Sequence, residues 1–180
     1  MKAYITSVGE PTTDLCMFSV ERNGFEAVLI QDANTTLAQK LKQIYDQADD
    51  DFIRVDADVI LNKHLTSKTV DYHKTDDWWV QFKTWDWFQQ DVCNGGVQFI
   101  RKEALPDLRA NVDTFAESER PESQLFRLDE FHSPRRCSTS KWIVGIHGYG
   151  NNLEQVRVVK TRRGQLDNYD FELVERLNAL

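Results

Sequence analysis

The stretch Phe52-Ile53-Arg54-Val55-Asp56-Ala57-Asp58-Val59-Ile60-Leu61 is a short apolar run interrupted by two carboxylates with one residue between them. A continuous apolar run of this length reads as a strand buried on both faces. Extended backbone would point Asp56 and Asp58 to one side and Ala57 to the other. Two ionised carboxylates side by side at the end of a buried strand repel each other and are costly to desolvate. A positive group belongs between them, and a divalent cation with oxygen ligands is the natural candidate. The plainer reading of Asp-x-Asp is a strand that ends in solvent with two surface acids. Its surroundings decide between the two.

Working towards the N-terminus, residues 3–8 read as a first strand closed by Gly9-Glu10-Pro11. Thr12 or Thr13 can cap a helix running to about Asn23, with Gly24 as its stop. Glu26 to Gln31 is a second strand ending at Asp32, and Asn34, Thr35 or Thr36 can cap the next helix. In that helix Leu37, Leu41, Ile44, Tyr45 and Ala48 recur at helical spacing. The double-acid strand follows the acidic Asp49-Asp50-Asp51. Strands alternating with helices predict an α/β fold with a mostly parallel sheet, right-handed crossovers and helices on both faces. Ligands of such sheets sit at the carboxyl ends of the strands. Thr6-Ser7-Val8-Gly9, Gln31-Asp32 and the paired acids would therefore converge on one edge. That convergence favours the ligand-binding reading of Asp56 and Asp58.

The second half changes character. Residues 78–88 are strand-like and hold four tryptophans in ten residues, and a glycine-led strand follows from Cys93 to Ile100. Arg101 to Leu105 can begin a helix, and Glu122 to Leu128 reads as another with Pro121 in its first turn. Residues 141–146 are a short strand entering His147-Gly148-Tyr149-Gly150, and residues 167–180 read as a terminal helix. Neither a repeat nor a low-complexity linker interrupts the chain, so residues 1–180 are read as one domain.

Composition narrows the classes. With 41% hydrophobic and 28% charged residues, the chain suits a single globular core. A net charge of -7 runs against a general nucleic-acid binder and against holding a phosphorylated ligand by bulk charge alone. Cys16, Cys93 and Cys137 form neither a disulfide framework nor the paired spacing of a zinc site, which fits a reducing cytoplasm. The N-terminus lacks the apolar core of a signal peptide, and no run reaches the roughly 20 apolar residues of a membrane span. A soluble, cytoplasmic protein is expected.

Four features can carry chemistry besides the acids. His147 is delivered by the apolar run Ile143-Val144-Gly145-Ile146 to a strand end between glycines, where an imidazole suits a third metal ligand. A structural hydrogen-bonding histidine is the alternative. Asn94-Gly95-Gly96 lets backbone approach a ligand closely while the amide hydrogen bonds, or is simply a turn feeding a strand. Glu122 stands at a predicted helix start, where the dipole favours its anion; it can take a proton from an acceptor hydroxyl or merely cap the helix. The tryptophans offer flat faces to sugar rings or bases, or form one hydrophobic sheet face. Arg157, Lys160, Arg162 and Arg163 form the basic cluster, read as a solvated face.

Taken in order, these elements resemble the nucleotide-sugar glycosyltransferases with the GT-A fold, over roughly Lys2 to Gly150. The resemblance implies a Rossmann-like GT-A sheet whose first strand and loop, with Ser7 and Gly9, hold the nucleotide while Asp32 meets the base. Asp56-Ala57-Asp58 matches the family's Asp-x-Asp, which binds a divalent metal (Mn or Mg) and the diphosphate or ribose. His147 matches the late histidine that completes the metal site, with Asp58 and His147 as the direct ligands and Asp56 nearer the ribose or a metal-bound water. Asn94-Gly95-Gly96-Val97 resembles the sugar-contact strand, and Glu122-Ser123-Gln124-Leu125 the acidic helix start facing the acceptor. The chain departs from the family in lacking a Glu-Asp pair there and a lysine directly after His147. The implied activity is metal-dependent transfer of a sugar from a nucleotide-diphosphate sugar to a hydroxyl acceptor: a glycan, a lipid-linked sugar, a protein or a modified base. Inversion would use Glu122 as base; retention would leave Asn94 and Gln124 to position the sugar.

Two other classes fit parts of the pattern. A nucleotidyltransferase also uses paired acids and a metal, but residues 6–13 hold one glycine and no Lys or Arg for a phosphate loop. A noncatalytic carbohydrate- or protein-binding module would use the tryptophan-rich face instead. A serine hydrolase is disfavoured, because the chain contains no Gly-x-Ser-x-Gly.

Overall fold

The computed structural model describes residues 1–73, 77–118, 120–127 and 137–162. The N-terminal alternation forms as β1 (Lys2–Ser7), α1 (Thr13–Arg22), β2 (Glu26–Gln31), α2 (Leu37–Gln47) and β3 (Phe52–Asp56). Then come β4 (Val59–Leu61), α3 (Ser67–His73), β5 (Trp79–Asp86) and β6 (Asp91–Ile100). The chain continues through α4 (Leu105–Asn111), α5 (Pro121–Phe126), β7 (Cys137–His147) and α6 (Leu153–Arg162). Short 3-10 turns flank α4 at Lys102–Ala104 and Val112–Phe115. The terminal helix expected over residues 167–180, and Arg163 of the basic cluster, lie outside the described residues.

The seven strands form one sheet in the order β2-β1-β3-β6-β5-β7-β4. β1 pairs in parallel with β2 and β3, and β5 with β7, whereas β6 and β4 pair antiparallel with their neighbours. Five of the seven strands thus share one direction, and the sheet is mixed but mostly parallel. It curls: Val59 of β4, three places from β6, has its Cγ2 only 2.5 Å from where a Cβ on Gly96 would stand. Gly96 has φ +74°, so a side chain there would meet both a steric block and backbone strain.

Alternation along β1 and β3 divides the core between the sheet's faces. Ile5, Ile53, Val55, Val97 and Phe99 pack with Cys16 and Val20 of α1 and with β4. Tyr4, Phe52, Trp79 and Ile100 pack instead with Leu41, Ile44 and Tyr45 of α2 and with Leu105, Leu108 and Leu125. Helices therefore cover both faces. Thr36 caps α2 in a reciprocal box with Gln39, each satisfying the other's backbone N–H. Thr12 does something else. Its hydroxyl makes no cap and donates 3.0 Å to the Ala57 carbonyl, tying the start of α1 to the double-acid segment.

That segment is not one strand. β3 ends at Asp56, Ala57 and Asp58 turn, and β4 begins at Val59. Ala57 still donates its N–H to Thr6 of β1, but Asp58 accepts from the Gly148 N–H beyond β7. The chain therefore leaves the sheet's centre at the acids and pairs with β7 at the far edge. An apolar run has the same composition whether it is straight or bent, so periodicity alone did not show the break.

β4 can lie against β7 only because Gly145 has no side chain. A Cβ there would sit 2.6 Å from the Ile60 carbonyl oxygen, a backbone atom unable to yield. At Gly95 the nearest atom would be Cys93 Sγ at 3.9 Å, an ordinary contact. Gly145→Ala is expected to lower unfolding stability by roughly 2 kcal/mol, as overpacking does, with Gly95→Ala much milder. Urea denaturation midpoints of the two variants check the contrast.

Candidate functional site

Pairing brings the acids and the histidine together. Val59 is the direct partner of His147 across the β4–β7 ladder, and Asp86 faces His147 across β5–β7. One ligand atom each from Asp56, Asp58 and His147 lies within 4.8 Å of the others, despite the turn between the acids. His147 Nε2 is 3.4 Å from Asp58 Oδ2, and Nδ1 is 3.0 Å from Asp86 Oδ2. Asp58 also accepts 2.9 Å from Asn151 Nδ2, in the turn before α6.

The electrostatics follow from three carboxylates around one ring. Burial alone would pull His147 down, yet Asp58, with the hydrogen-bonded Asp86 and Cys93, holds its proton well above the usual imidazole range. Burial raises Asp58, with Asp56 adding to the effect and His147 opposing it. Burial would raise Asp86 too, but His147 and the N–H groups of Phe88 and Gln89 keep it below the usual carboxylate value. The cluster thus calls for positive charge and uses the His147 proton as its local cation. Two carboxylates and an imidazole are a hard, oxygen-rich donor set that fits Mn or Mg.

Asp56 is held from behind. Its Oδ1 accepts from Thr6 Oγ1 at 3.1 Å and from Arg54 Nη2. Arg54 is only 2% exposed. Burial would strip its charge, but Asp56 and Glu122 keep it cationic. Arg54 Nη1 also donates 3.2 Å to Gln98 Oε1. Its Nε and Glu122 Oε2 are both buried without a hydrogen-bond partner, and both residues line one cavity.

Three cavities meet at this cluster. One of about 350 Å³ is lined by Arg54, Asp56, Asn94, Gly95, Glu122 and His147 among others. A second of about 230 Å³ lies against Thr6, Ser7, Lys40, Asp56, Asp58 and His147. The third, about 460 Å³, runs past Gly9, Glu10, Asp58, His147, Asn151 and Lys160. Asp56, Asp58, His147, Asn94, Gly95, Glu122, Ser7 and Gly9 are therefore gathered in one region. Ser7 offers little hydroxyl to a ligand, because Oγ donates to Glu10 at 2.6 Å, accepts the Gly9 N–H and bonds Thr13 Oγ1. Asp32 and Gln124 are exposed and line none of these cavities. Asp32 accepts the Asn34 N–H in a local turn.

Sequence reasoning passed over Arg54, Lys40, Asp86 and Cys93. Lys40, 3% exposed, donates 2.6 Å to the Ser7 carbonyl, and burial lowers its proton affinity. A charge two residues before Asp56 signalled Arg54, since the pleat puts both on one face. Asp86 ends a strand, as Asp56 does, but lies within the aromatic run. Lys160 of α6 lines two of the cavities. The tryptophans form no single exposed face: Trp79 is buried edge-on to Phe126, while Trp87 packs edge-on to Tyr149.

No protein-family profile and no curated protein matches the sequence. Solved structures do match in shape. A glycosyltransferase involved in glycosylation of the major capsid of PBCV-1 superposes with a TM-score of 0.60 at 14% identity, covering 89% of this chain and 98% of that one. The 4-diphosphocytidyl-2C-methyl-D-erythritol synthase of Anaerococcus prevotii DSM 20548 gives 0.55 at 13% identity, over 84% and 90%. A Bacillus anthracis protein assigned as a glucose-1-phosphate thymidylyltransferase gives 0.51 at 8%, over 80% and 87%. The likeness is one of fold. It is a Rossmann-like sheet of the kind shared by GT-A glycosyltransferases and nucleotidyltransferases. No helix among the described residues is long and apolar enough to cross a membrane.

Burial raises Glu122 above its ordinary value of 4.5, with Asp56 adding and Arg54 opposing. A raised folded value means stability is greatest with the carboxyl protonated and is lost as pH climbs from 4.5 through that value. Glu122→Gln removes this loss. Urea midpoints should show the variant matching wild type near pH 4 and becoming the more stable protein towards pH 8.

Proposed function

We propose that this chain is a metal-dependent glycosyltransferase, a single catalytic domain moving a sugar from a nucleotide-diphosphate sugar to a hydroxyl acceptor. One observation carries the reading: Asp56, Asp58 and His147, two carboxylates and an imidazole, gather where three cavities meet. Asp58 and His147 would hold the Mn or Mg ion, and Asp56, braced by Arg54 and Thr6, would face the ribose or a metal-bound water. When bound, the ion neutralises the diphosphate leaving group, which this acidic protein otherwise lacks the charge to hold.

The chain's own groups supply the rest. Backbone at Ser7 and Gly9, fixed by Glu10 and Lys40, walls the nucleotide cavities, and Lys160 brings a cation to the diphosphate side. Asp32, at the exposed end of β2, would meet the base at the rim. Asn94 and Gly95 would contact the sugar in the 350 Å³ cavity. Glu122 in the same cavity has an unpartnered oxygen and a raised proton affinity, which suit a general base for an inverting transfer. Gln124, exposed on α5, would lie at the acceptor's edge. The acceptor class is a glycan, lipid-linked sugar, protein or modified base.

The competing enzyme class is a nucleotidyltransferase, because two of the similar folds carry names of that kind. Product analysis separates them. With Mn or Mg and a panel of UDP- and GDP-sugars, nucleoside diphosphate release is expected, falling at least 100-fold in Asp58→Asn and His147→Ala. Pyrophosphate release from a nucleoside triphosphate and a sugar 1-phosphate would instead establish the competing reaction.

A further inference from the structure

The ligand set around His147 is doubled. Asp86, Cys93 and His147 form a second group whose ligand atoms lie within 4.8 Å of one another. They come from three adjacent strands. Asp86 of β5 pairs with His147 of β7, and Cys93 of β6 pairs with Thr84, two residues before Asp86. Strand alternation puts residues 84 and 86 on one face, so the three side chains converge from a rigid sheet rather than from loops.

We propose that Asp86, Cys93 and His147 form a binding site for a thiophilic divalent cation such as Zn²⁺, and that this site excludes the oxygen-seeking ion at Asp58. Thiolate, imidazole and carboxylate are a zinc donor set. Zinc bonds of about 2.0 to 2.3 Å place tetrahedral ligand atoms about 3.3 to 3.8 Å apart. Nδ1 and Asp86 Oδ2, 3.0 Å apart and sharing a hydrogen, would open slightly as the ion replaces that hydrogen, with Cys93 Sγ already within 4.8 Å. The supporting bonds are in place. Asp86 Oδ1 accepts the N–H groups of Phe88 and Gln89, both at 2.9 Å, which leaves Oδ2 aimed at the ring. Thr84 Oγ1 lies 3.3 Å from Cys93 Sγ and donates its hydrogen to the Gly95 carbonyl at 3.2 Å; turning that hydrogen to the sulfur would support a thiolate. All three ligands also line the 350 Å³ cavity, which leaves the fourth position open to water.

Exclusion follows from the imidazole itself. A neutral ring has one nitrogen with a free lone pair and one that carries hydrogen. Nδ1 faces Asp86 and Nε2 faces Asp58. An ion on Nδ1 fixes the hydrogen on Nε2, which then donates to Asp58 and cannot bind metal. Zinc at the cysteine site would in this way disarm the other, and the cysteine decides which ion wins. The exclusion rests on the metal reading given above; the zinc site does not.

Co²⁺, whose spectrum reports thiolate bonds, tests the site in metal-free full-length protein. One equivalent should give a thiolate-to-cobalt charge-transfer band, lost in Cys93→Ser, weakened in Asp86→Asn, and retained in Cys137→Ser and Asp58→Asn. Asp86→Asn supplies an independent loss should Cys93→Ser fold poorly. Absence of the band in wild type, or its persistence in a folded Cys93→Ser, overturns the site. Electron paramagnetic resonance of bound Mn²⁺ tests exclusion. One equivalent of Zn²⁺ should release Mn²⁺ from wild type, and Cys93→Ser should need at least tenfold more. Both ions binding together overturns the exclusion. Failure of Mn²⁺ to bind wild type at all removes the Asp58 site and the exclusion with it, while the cobalt spectrum still decides the zinc site.

Discussion

The pairing of β4 with β7 holds this site together. Val59 opposite His147, with the Gly148 N–H on the Asp58 carbonyl, ties the acids after β3 to the far edge of the sheet. Remove that ladder and Asp58 has no reason to stand beside an imidazole. The bend at Ala57 is what lets β4 reach β7. Its backbone groups are satisfied by Thr6 on one side and Thr12 on the other, so the bend leaves neither polar group of Ala57 stranded. Gly145 then permits the approach that any side chain would block.

Charge is the second constraint. Asp56, Asp58 and Asp86 crowd a half-buried region, and Glu122 stands in the adjoining cavity. Arg54 and the His147 proton offset them, each held against the pull of burial by neighbouring carboxylates. Removing Arg54 or the His147 ring is expensive, because each deletion leaves carboxylates behind uncompensated. The same balance makes the region receptive to cations, since a divalent ion can take over what a proton on His147 does alone.

Much of the architecture was legible because periodicity and caps are local. The β1-α1-β2-α2-β3 order and the burial of β3 on both faces followed from spacing and residue type, which left Asn34, Thr35 and Thr36 all open as the α2 cap that Thr36 fills. The gathering of Asp56, Asp58 and His147 came through a resemblance of motif order, since no local signal links residue 58 to residue 147. The bend after Asp56 was hidden because Val59 to Leu61 are as apolar as the strand before them. Arg54 left the opposite kind of trace, a charge where the pattern asked for a core residue. Asp86 and Cys93 acquire their meaning only from cross-strand register, and register between distant strands is not written in either strand alone. Asp32 and Gln124 each stand near the expected element with an exposed side chain outside the three cavities, a placement that motif order does not specify.

The proposed function requires a nucleotide sugar to bind here through a divalent ion held by Asp58 and His147. Thermal unfolding of the wild-type chain with a panel of UDP- and GDP-sugars, first with Mn²⁺ and then with excess chelator, measures this most directly. At least one nucleotide sugar is expected to raise Tm by several degrees only while the ion is present. A panel in which no nucleotide sugar shifts Tm with Mn²⁺, or in which the shift survives the chelator, would contradict it.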